Sequence, residues 1–153
     1  MLFVCSGNTG RSVAAEALTR TYLQSQGLSA EVASRGLAVD PAHNLAEAPA
    51  QTLLSGRGID VSGHRARSLT TEDIEAADLI LCATRAHRDQ IAERFPSAQG
   101  KAYALADYAG FGGDLEDAFG KPVSAYAAML TQLELQIPAA LAHAFDEFEV
   151  APR

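Results

Sequence analysis

Eight residues near the start of the chain, CSGNTGRS, bring a nucleophile and an anion-binding group close together. Cys5 supplies a thiol, and Arg11 supplies a planar guanidinium that can hold two oxygens of one oxyanion. Gly7 and Gly10 are expected to let the backbone curl between them, and Asn8 tolerates a left-handed conformation. A curled loop of this kind points successive backbone N–H groups at one anion. The C-x5-R spacing therefore predicts a thiolate nucleophile below a phosphate-sized cradle.

The flanking residues place this segment, named here the phosphate loop (residues 5–12), between a strand and a helix. Residues 2–4 are apolar, and residues 12–26 carry apolar side chains at helical spacing. Ligands of parallel α/β proteins bind where a strand ends, and the unpaired N–H groups of a following helix attract anions. The helix start and Arg11 both favour the thiolate form of Cys5, and Ser12 is placed to hydrogen-bond its sulfur. The segment lacks the lysine of a nucleotide P-loop and the glycine pattern of a dinucleotide fold.

The rest of the chain alternates short apolar runs with helical stretches. This alternation favours a parallel sheet with helices on both faces, in one domain of residues 1–153. Pro138 is expected to kink or restart the last helix, because an interior proline lacks a backbone N–H. The predicted strands are 2–4, 30–33, 78–83 and 101–105, and the predicted helices are 12–26, 46–54, 85–95 and 123–148.

The composition limits the classes of partner. The net charge is −7 and no basic stripe is present, which argues against nucleic acid. No apolar run reaches the roughly 18 residues that span a bilayer, and Met1 lies too near Cys5 for a signal peptide. We therefore expect a cytoplasmic monomer without membrane contact, with Cys5 and Cys82 as free thiols. The four histidines are scattered and are interpreted as surface or locally hydrogen-bonded residues, so we expect no metal and no other cofactor.

A thiolate that attacks phosphorus also needs an acid to protonate the leaving group. The glycine-rich segment of residues 107–121, named here the acid loop, carries three acidic candidates that could hang over the cradle. They are Asp114, Glu116 and Asp117. General chemistry does not choose among them, and each alone is more typical of a solvated loop residue.

The phosphate loop resembles the C-x-G-N-[IT]-C-R-S signature of the low-molecular-weight protein tyrosine phosphatases. At the end of the acid loop, GDLEDAFGKP resembles the later D-P-[YF] segment of that family, and SRGLAVD, RGIDVSGHRARSLT and ADLILCAT match in order between them. The resemblance covers nearly the whole chain. It implies an α/β fold with a four-stranded parallel sheet, helices on both faces and a phosphate-binding loop after the first strand.

Positions matched to the family imply roles for individual side chains. Cys5 matches the nucleophile, Arg11 the phosphate-binding arginine and Asp117 the general acid. In the implied two-step reaction, Cys5 attacks a phosphorylated protein, a cysteinyl-phosphate forms, and water then releases inorganic phosphate. The other matched positions bind phosphate, steady the thiolate, brace the loop or flank the pocket mouth: Ser6, Gly7, Asn8, Thr9, Gly10, Ser12, Ser34 and Phe119.

Three positions depart from the family pattern. Gly10 replaces the second loop cysteine that is common in the family, so we expect no protective disulfide with Cys5. Val13 and Ala118 replace prolines, and Ala118 directly follows the acid. The acid loop is therefore expected to be less rigid than is usual in the family.

Thr9 bears on the choice of substrate. Tyrosine-specific members usually carry isoleucine at this position, whereas the bacterial protein-arginine phosphatases carry threonine. A hydroxyl can hydrogen-bond guanidino nitrogens or a nucleophilic water, while a hydrocarbon branch packs on a phenyl ring. The resemblance therefore favours phosphoarginine as the substrate, with a protein tyrosine phosphatase as the alternative.

Two further classes share parts of the pattern. A thiol-dependent arsenate reductase has this fold and loop but needs a relay of further cysteines, and only Cys82 is present, in a predicted buried strand. A non-catalytic module that binds phosphorylated ligands would not need both Cys5 and Asp117. Both classes are therefore less favoured than a phosphatase.

Overall fold

The computed structural model describes residues 1–148 and contains four parallel strands in one sheet. The strands are β1 (Leu2–Cys5), β2 (Ala33–Gly36), β3 (Ile80–Cys82) and β4 (Ala102–Ala104). Their order is β2-β1-β3-β4, so β1 pairs with β2 on one side and with β3 on the other. The chain passes from β1 to β2 on one side of it, and β3 later pairs with β1 on the other side. This reversal of strand order leaves a crevice at the carboxyl end of β1, which is a favoured position for a ligand. The predicted four-stranded parallel architecture is confirmed.

The helices cover both faces of this sheet. Two short ones are absent from the sequence-based prediction, because six and four residues give too few turns for a hydrophobic periodicity to be recognised. No helix within residues 1–148 combines the length and apolar character needed to cross a membrane. The helices are α1 (Arg11–Ser25), α2 (Ala48–Ser55), α3 (Thr71–Ala76), α4 (Arg85–Arg94), α5 (Leu105–Tyr108) and α6 (Val123–Phe148).

The second strand begins three residues later than the predicted 30–33, at Ala33. The prediction followed the apolar residues of the segment, but residues 30 and 31 are exposed. In β2 the buried positions are Ser34 and Gly36, which are small and carry no large apolar side chain. The buried face of this edge strand supports the phosphate loop instead of the apolar core. A search for apolar residues in the sequence therefore does not locate the strand.

The last helix runs through Pro138 as one element, so of the two predicted outcomes, a kink or a restart, the restart is wrong. Proline removes the N–H that would bond the carbonyl of residue 134, and Glu134 is exposed, so that carbonyl can bond water. On either side of the proline, Leu133, Ile137 and Leu141 are buried in the same core. Burial of this continuous apolar face offsets the loss of one helical hydrogen bond.

The sheet separates two apolar cores. Phe3 and Cys5 belong to the core beneath α1 and α6, whereas Val4 and Cys82 belong to the core beneath α3 and α4. The two cysteines are free thiols on opposite faces of the sheet. Burial raises the pKa of the Cys82 thiol to about 12, so this group stays protonated at neutral pH. Cys82 cannot reach Cys5 as a partner in a thiol relay.

Candidate active site

A cleft of about 240 Å³ opens at the carboxyl end of β1. It brings together the phosphate loop, the acid loop and residues 38–47, which precede α2. Asn8 and Ser12 are buried and do not line the cleft. Of the predicted site residues, those that line it are Cys5, Ser6, Gly7, Thr9, Gly10, Arg11, Asp117 and Phe119, and the lining residues that the sequence analysis missed are Ala38, Asp40, His43 and Glu47.

The Cys5 thiol at the base of the cleft is held by a short chain of hydrogen bonds. Its Sγ lies 3.0 Å from the Oγ of Ser12. The Nδ2 of Asn8 donates to that same Oγ at 2.8 Å. Because the Ser12 oxygen already accepts from Asn8, its own proton is free to point at the sulfur. A hydroxyl donor in this position can hydrogen-bond negative charge on the sulfur during a reaction.

Asn8 is the centre of the support below the phosphate loop. It is fully buried, and with a φ of 55° it is the one non-glycine residue in the left-handed region among residues 1–148. Its Nδ2 also donates to the Oγ of Ser34 at 2.9 Å, and its Oδ1 accepts from the Arg67 backbone N–H at 3.0 Å. Since a backbone N–H can only donate, the orientation of the Asn8 amide is fixed.

The left-handed turn of the loop lies at Asn8, since neither Gly7 nor Gly10 has a positive φ. Gly10 has a φ of −131° and a ψ of −86°, outside the α and β regions, so the predicted use of glycine to curl the loop is consistent with its backbone. Gly10 also provides space, because a Cβ there would lie 2.5 Å from the Oε2 of Glu47. Glycine at this position lets the Glu47 carboxylate approach the loop.

Two supports of the loop come from segments that the sequence analysis quoted without giving these residues a role. Gly36 pairs with Cys5 across β1 and β2, and a Cβ there would meet the carbonyl oxygen of Ser6 at 2.7 Å. His64 lies half-buried with its Nε2 2.7 Å from the carbonyl oxygen of Asn8. A carbonyl only accepts, so this nitrogen carries the proton. The sequence analysis found the two segments that contain Gly36 and His64. It did not show that these residues contact the phosphate loop.

One wall of the cleft is formed by Thr9 and Glu47, and the buried Tyr126 lies behind Glu47. The hydroxyl of Thr9 donates to the Oε2 of Glu47 at 2.9 Å, and the hydroxyl of Tyr126 donates to the Oε1. The Glu47 backbone N–H also donates to the carbonyl oxygen of Thr9, at 2.8 Å. Burial, followed by the bond to Glu47, raises the pKa of the Tyr126 hydroxyl. Tyr126 therefore stays a hydrogen-bond donor.

A second part of the cleft joins Arg11 to the acid loop. The Nη2 of Arg11 lies 3.5 Å from the Oδ2 of Asp117, and its Nη1 donates to the Leu115 carbonyl at 3.4 Å. Asp117 is 61% exposed, and the Phe119 ring beside it is 67% exposed at the mouth. Of the three acidic candidates, Asp117 lines the cleft, while Asp114 accepts from the backbone of Arg85 and Glu116 pairs with Lys121.

His87 contacts the phosphate loop from the start of α4. Its Nε2 lies 2.8 Å from the Oγ of Ser6, and its buried Nδ1 has no hydrogen-bond partner within the described residues. Burial, helped by the positive charge of Arg11, lowers the pKa of His87 to about 4. The imidazole is therefore neutral at pH 7.

The interpretation of all four histidines as surface or local residues is wrong for His64 and His87, which contact the phosphate loop from distant segments. His43 does pair locally, with Asp40, at the edge of the cleft. Within residues 1–148 no three His, Cys, Asp or Glu side chains cluster as metal ligands would. The expected lack of a metal or cofactor stays a prediction.

Comparison with known proteins agrees with this geometry. The family model described as low molecular weight phosphotyrosine protein phosphatase matches residues 1–148. The chain belongs to this family, whose members are cysteine-based enzymes that hydrolyse phosphorylated proteins.

Individual relatives carry two different substrate names. A protein-arginine-phosphatase of Geobacillus stearothermophilus is 38% identical over 90% of this chain and 90% of its own length. A probable low molecular weight protein-tyrosine-phosphatase, EpsP, of Ralstonia solanacearum is 33% identical over 91% of each chain. Among solved structures, a cysteine-to-serine mutant of the arginine phosphatase YwlE with a phosphorylated active-site serine superposes with a TM-score of 0.87. That structure is 32% identical, and the match covers 96% of this chain and 95% of the other.

Proposed function

We propose that this chain is a protein-arginine phosphatase. The observation that carries the proposal is the acidic rim of the cleft, where Asp40, Glu47 and Asp117 line the space in front of Cys5. A guanidinium is cationic and presents several N–H donors, whereas a phenyl ring is neutral and presents none. A phosphate cradle with carboxylates around its mouth suits a substrate that carries a negative phosphoryl group on a positive guanidinium. The similarity to proteins named arginine phosphatases supports the same choice.

In the first step, the Cys5 thiolate attacks phosphorus in line with the bond to the leaving nitrogen. Arg11 and the loop N–H groups stabilise the charge on the equatorial oxygens. As the S–P bond forms and the P–N bond breaks, the Asp117 carboxylic acid gives its proton to the departing guanidine. The position of Asp117 beside Arg11, exposed to a substrate entering the mouth, supports this role.

In the second step, Asp117 accepts a proton from water as that water attacks the cysteinyl-phosphate. The S–P bond breaks, the Cys5 thiolate is restored and inorganic phosphate leaves. The donor from Ser12, 3.0 Å from the sulfur, supports Cys5 as a leaving group in this step because it stabilises the thiolate. The phosphorylated active-site serine in the YwlE mutant supports a phosphoryl group carried by the enzyme.

Phosphotyrosine is the second candidate substrate. The exposed Phe119 ring at the mouth can stack on a phenyl ring, and relatives named tyrosine phosphatases favour this reading. The same ring can stack on a guanidinium, so Phe119 does not decide between the substrates. A single domain of residues 1–153, a monomeric state, a cytoplasmic location and the absence of a cofactor remain predictions from the sequence.

The experiment is a comparison of kcat/KM for two peptides of one sequence, carrying phosphoarginine or phosphotyrosine at the same position. We expect phosphoarginine to be preferred by at least about tenfold, because a site lined with acceptors discriminates by hydrogen bonding. The Cys5→Ser protein measures the background hydrolysis of the labile P–N bond. Equal or greater kcat/KM for phosphotyrosine would identify a tyrosine phosphatase instead.

A further inference from the structure

The Glu47 carboxylate accepts hydrogen bonds from two hydroxyl groups, Thr9 on the cleft side and Tyr126 on the buried side. A carboxylate has no proton to give, so both hydroxyls must be donors in these bonds. The proton of Thr9 is thereby directed away from the substrate. Its Oγ1 retains lone pairs, and Thr9 lines the cleft, so this hydroxyl meets a substrate as an acceptor.

Three further features keep Glu47 in this place. Tyr126, which is 3% exposed on α6, anchors the far oxygen of the carboxylate. The Glu47 backbone N–H bonds the carbonyl of Thr9, which fixes the residue beside the loop. Gly10 completes the arrangement, because any Cβ at that position would lie 2.5 Å from the Glu47 Oε2 and displace it.

An acceptor wall with a negative charge behind it distinguishes the two candidate substrates. The guanidinium of phosphoarginine has N–H donors that Thr9 and Glu47 can accept, and its positive charge is favoured beside a carboxylate. The phenyl ring of phosphotyrosine has no donor, and it would leave the same polar groups without partners. A preference for phosphoarginine at this wall would therefore depend on Glu47 as well as on Thr9.

We propose that Glu47, anchored by Tyr126 and admitted by Gly10, is a specificity-determining residue that makes Thr9 a hydrogen-bond acceptor for a guanidinium. This inference rests on the proposed arginine-phosphatase function and adds a residue to it. Glu47 touches neither the sulfur nor Arg11 in the hydrogen bonds of the site, so its effect falls on substrate choice and not on the shared chemistry.

The test measures kcat/KM for the phosphoarginine and phosphotyrosine peptides with Glu47→Gln, Tyr126→Phe and a control, Glu134→Gln. Glu134 is an exposed glutamate on α6 that pairs with Arg57, and its substitution is expected to change neither value. Glu47→Gln should lower kcat/KM for phosphoarginine by about 10- to 100-fold, the usual effect of losing a hydrogen bond to a charged group. The value for phosphotyrosine should change by less than about threefold, and Tyr126→Phe should show the same selective loss, only smaller.

Gly10→Ala provides an independent variant. Its methyl group should displace the carboxylate and reduce the preference for phosphoarginine, and adding Glu47→Gln should then cause little further loss, because both changes remove one arrangement. Inhibition by inorganic phosphate should be retained in Glu47→Gln, which reports an intact phosphate loop.

Two results would overturn the inference while leaving the proposed function standing. Equal losses for both substrates would mean that Glu47 acts on the loop or on the shared hydrolysis of cysteinyl-phosphate. If the ratio of kcat/KM for phosphoarginine to kcat/KM for phosphotyrosine is unchanged in Glu47→Gln, Thr9 selects the substrate without help from Glu47. Failure of the proposed function appears separately, in the parent protein, as a preference for phosphotyrosine.

Discussion

The floor of the cleft and the acid loop opposite it are held by different kinds of contact. Beneath the phosphate loop, Asn8 is fully buried, and its side chain bonds Ser12, Ser34 and the backbone of Arg67. Beyond Tyr108, which ends α5, the acid loop places only Leu115 and Ala118 in the core, and the residues between and beside these two, including Asp117, are exposed.

This difference matches the chemistry that each side would perform. Charge on the transferred phosphoryl group is best stabilised by donors that are fixed before the reaction begins. An acid must instead approach a leaving group and later a water, so an exposed loop with two buried anchors is sufficient. Substitutions in the floor should therefore cost stability as well as activity, whereas substitutions of exposed acid-loop residues should cost activity alone.

The largest expected effect is that of Cys5→Ser, which removes the nucleophile on which both the phosphate loop and the acid loop act. We expect kcat to fall by at least about 10⁴-fold, because deletion of a catalytic nucleophile leaves only binding and electrostatic assistance. Steady-state hydrolysis of a phosphopeptide measures this, with inhibition constants for inorganic phosphate as a check that the loop persists. Turnover at the parent rate would be incompatible with a covalent intermediate on Cys5.

The next effect is that of Asp117→Asn on the exposed side. We expect kcat to fall by about 10²- to 10⁴-fold, the usual contribution of a general acid, with no change in melting temperature. Glu116→Gln is the matched control, since Glu116 is an exposed neighbour in the same loop that pairs with Lys121. A larger loss of kcat in Glu116→Gln than in Asp117→Asn would show that Asp117 is not the general acid.

On the buried side, Asn8→Ala should lower the free energy of unfolding by about 3 kcal/mol, because it breaks a buried network and leaves a non-glycine residue at positive φ. Ser34→Ala removes a single bond to the same amide and should cost about 1 kcal/mol. Denaturant unfolding measures both. If Asn8→Ala unfolds like the parent while losing activity, the contrast between the two sides is wrong.

A smaller effect than that of Asn8→Ala is expected in the pH dependence of stability. Because the pKa of His87 falls from 6.5 to about 4 on folding, only the unfolded chain takes up this proton between those values. The stability contributed by neutral His87 is complete above pH 6.5 and is lost as the pH falls towards 4. His87→Gln should remove about 2 kcal/mol of the difference in unfolding free energy between pH 7.5 and pH 5, measured by denaturant unfolding at each pH. Identical pH dependence in parent and variant would exclude this linkage.

Sequence information located the reacting groups better than their supports. Cys5 and Arg11 lie six positions apart in one short segment, so their spacing and the family resemblance predict one loop. Asp117 followed only from the resemblance, because chemistry alone left three candidates in the acid loop.

Apart from Ser34, which the family resemblance implied, the supports from outside the phosphate loop escaped prediction because each reaches the loop through tertiary contacts. Glu47, His64 and His87 stand 38, 56 and 81 positions from the loop residues that they bond, and no local pattern records such distances. The second strand was misplaced for a related reason, since Ser34 is buried against Asn8 and not in an apolar core. The segments that surround the phosphate loop bury polar or small residues. Their positions are therefore not predicted by a pattern of apolar residues.

The most direct test of the account is a competition within one peptide that carries both phosphoarginine and phosphotyrosine. Mass spectrometry of the early products would show which phosphoryl group the parent protein and Thr9→Ile remove first. The account predicts that the parent removes the group on arginine and that Thr9→Ile, having lost the acceptor held by Glu47, removes the group on tyrosine. Removal of the tyrosine group first by the parent, or the same order in both proteins, would contradict it.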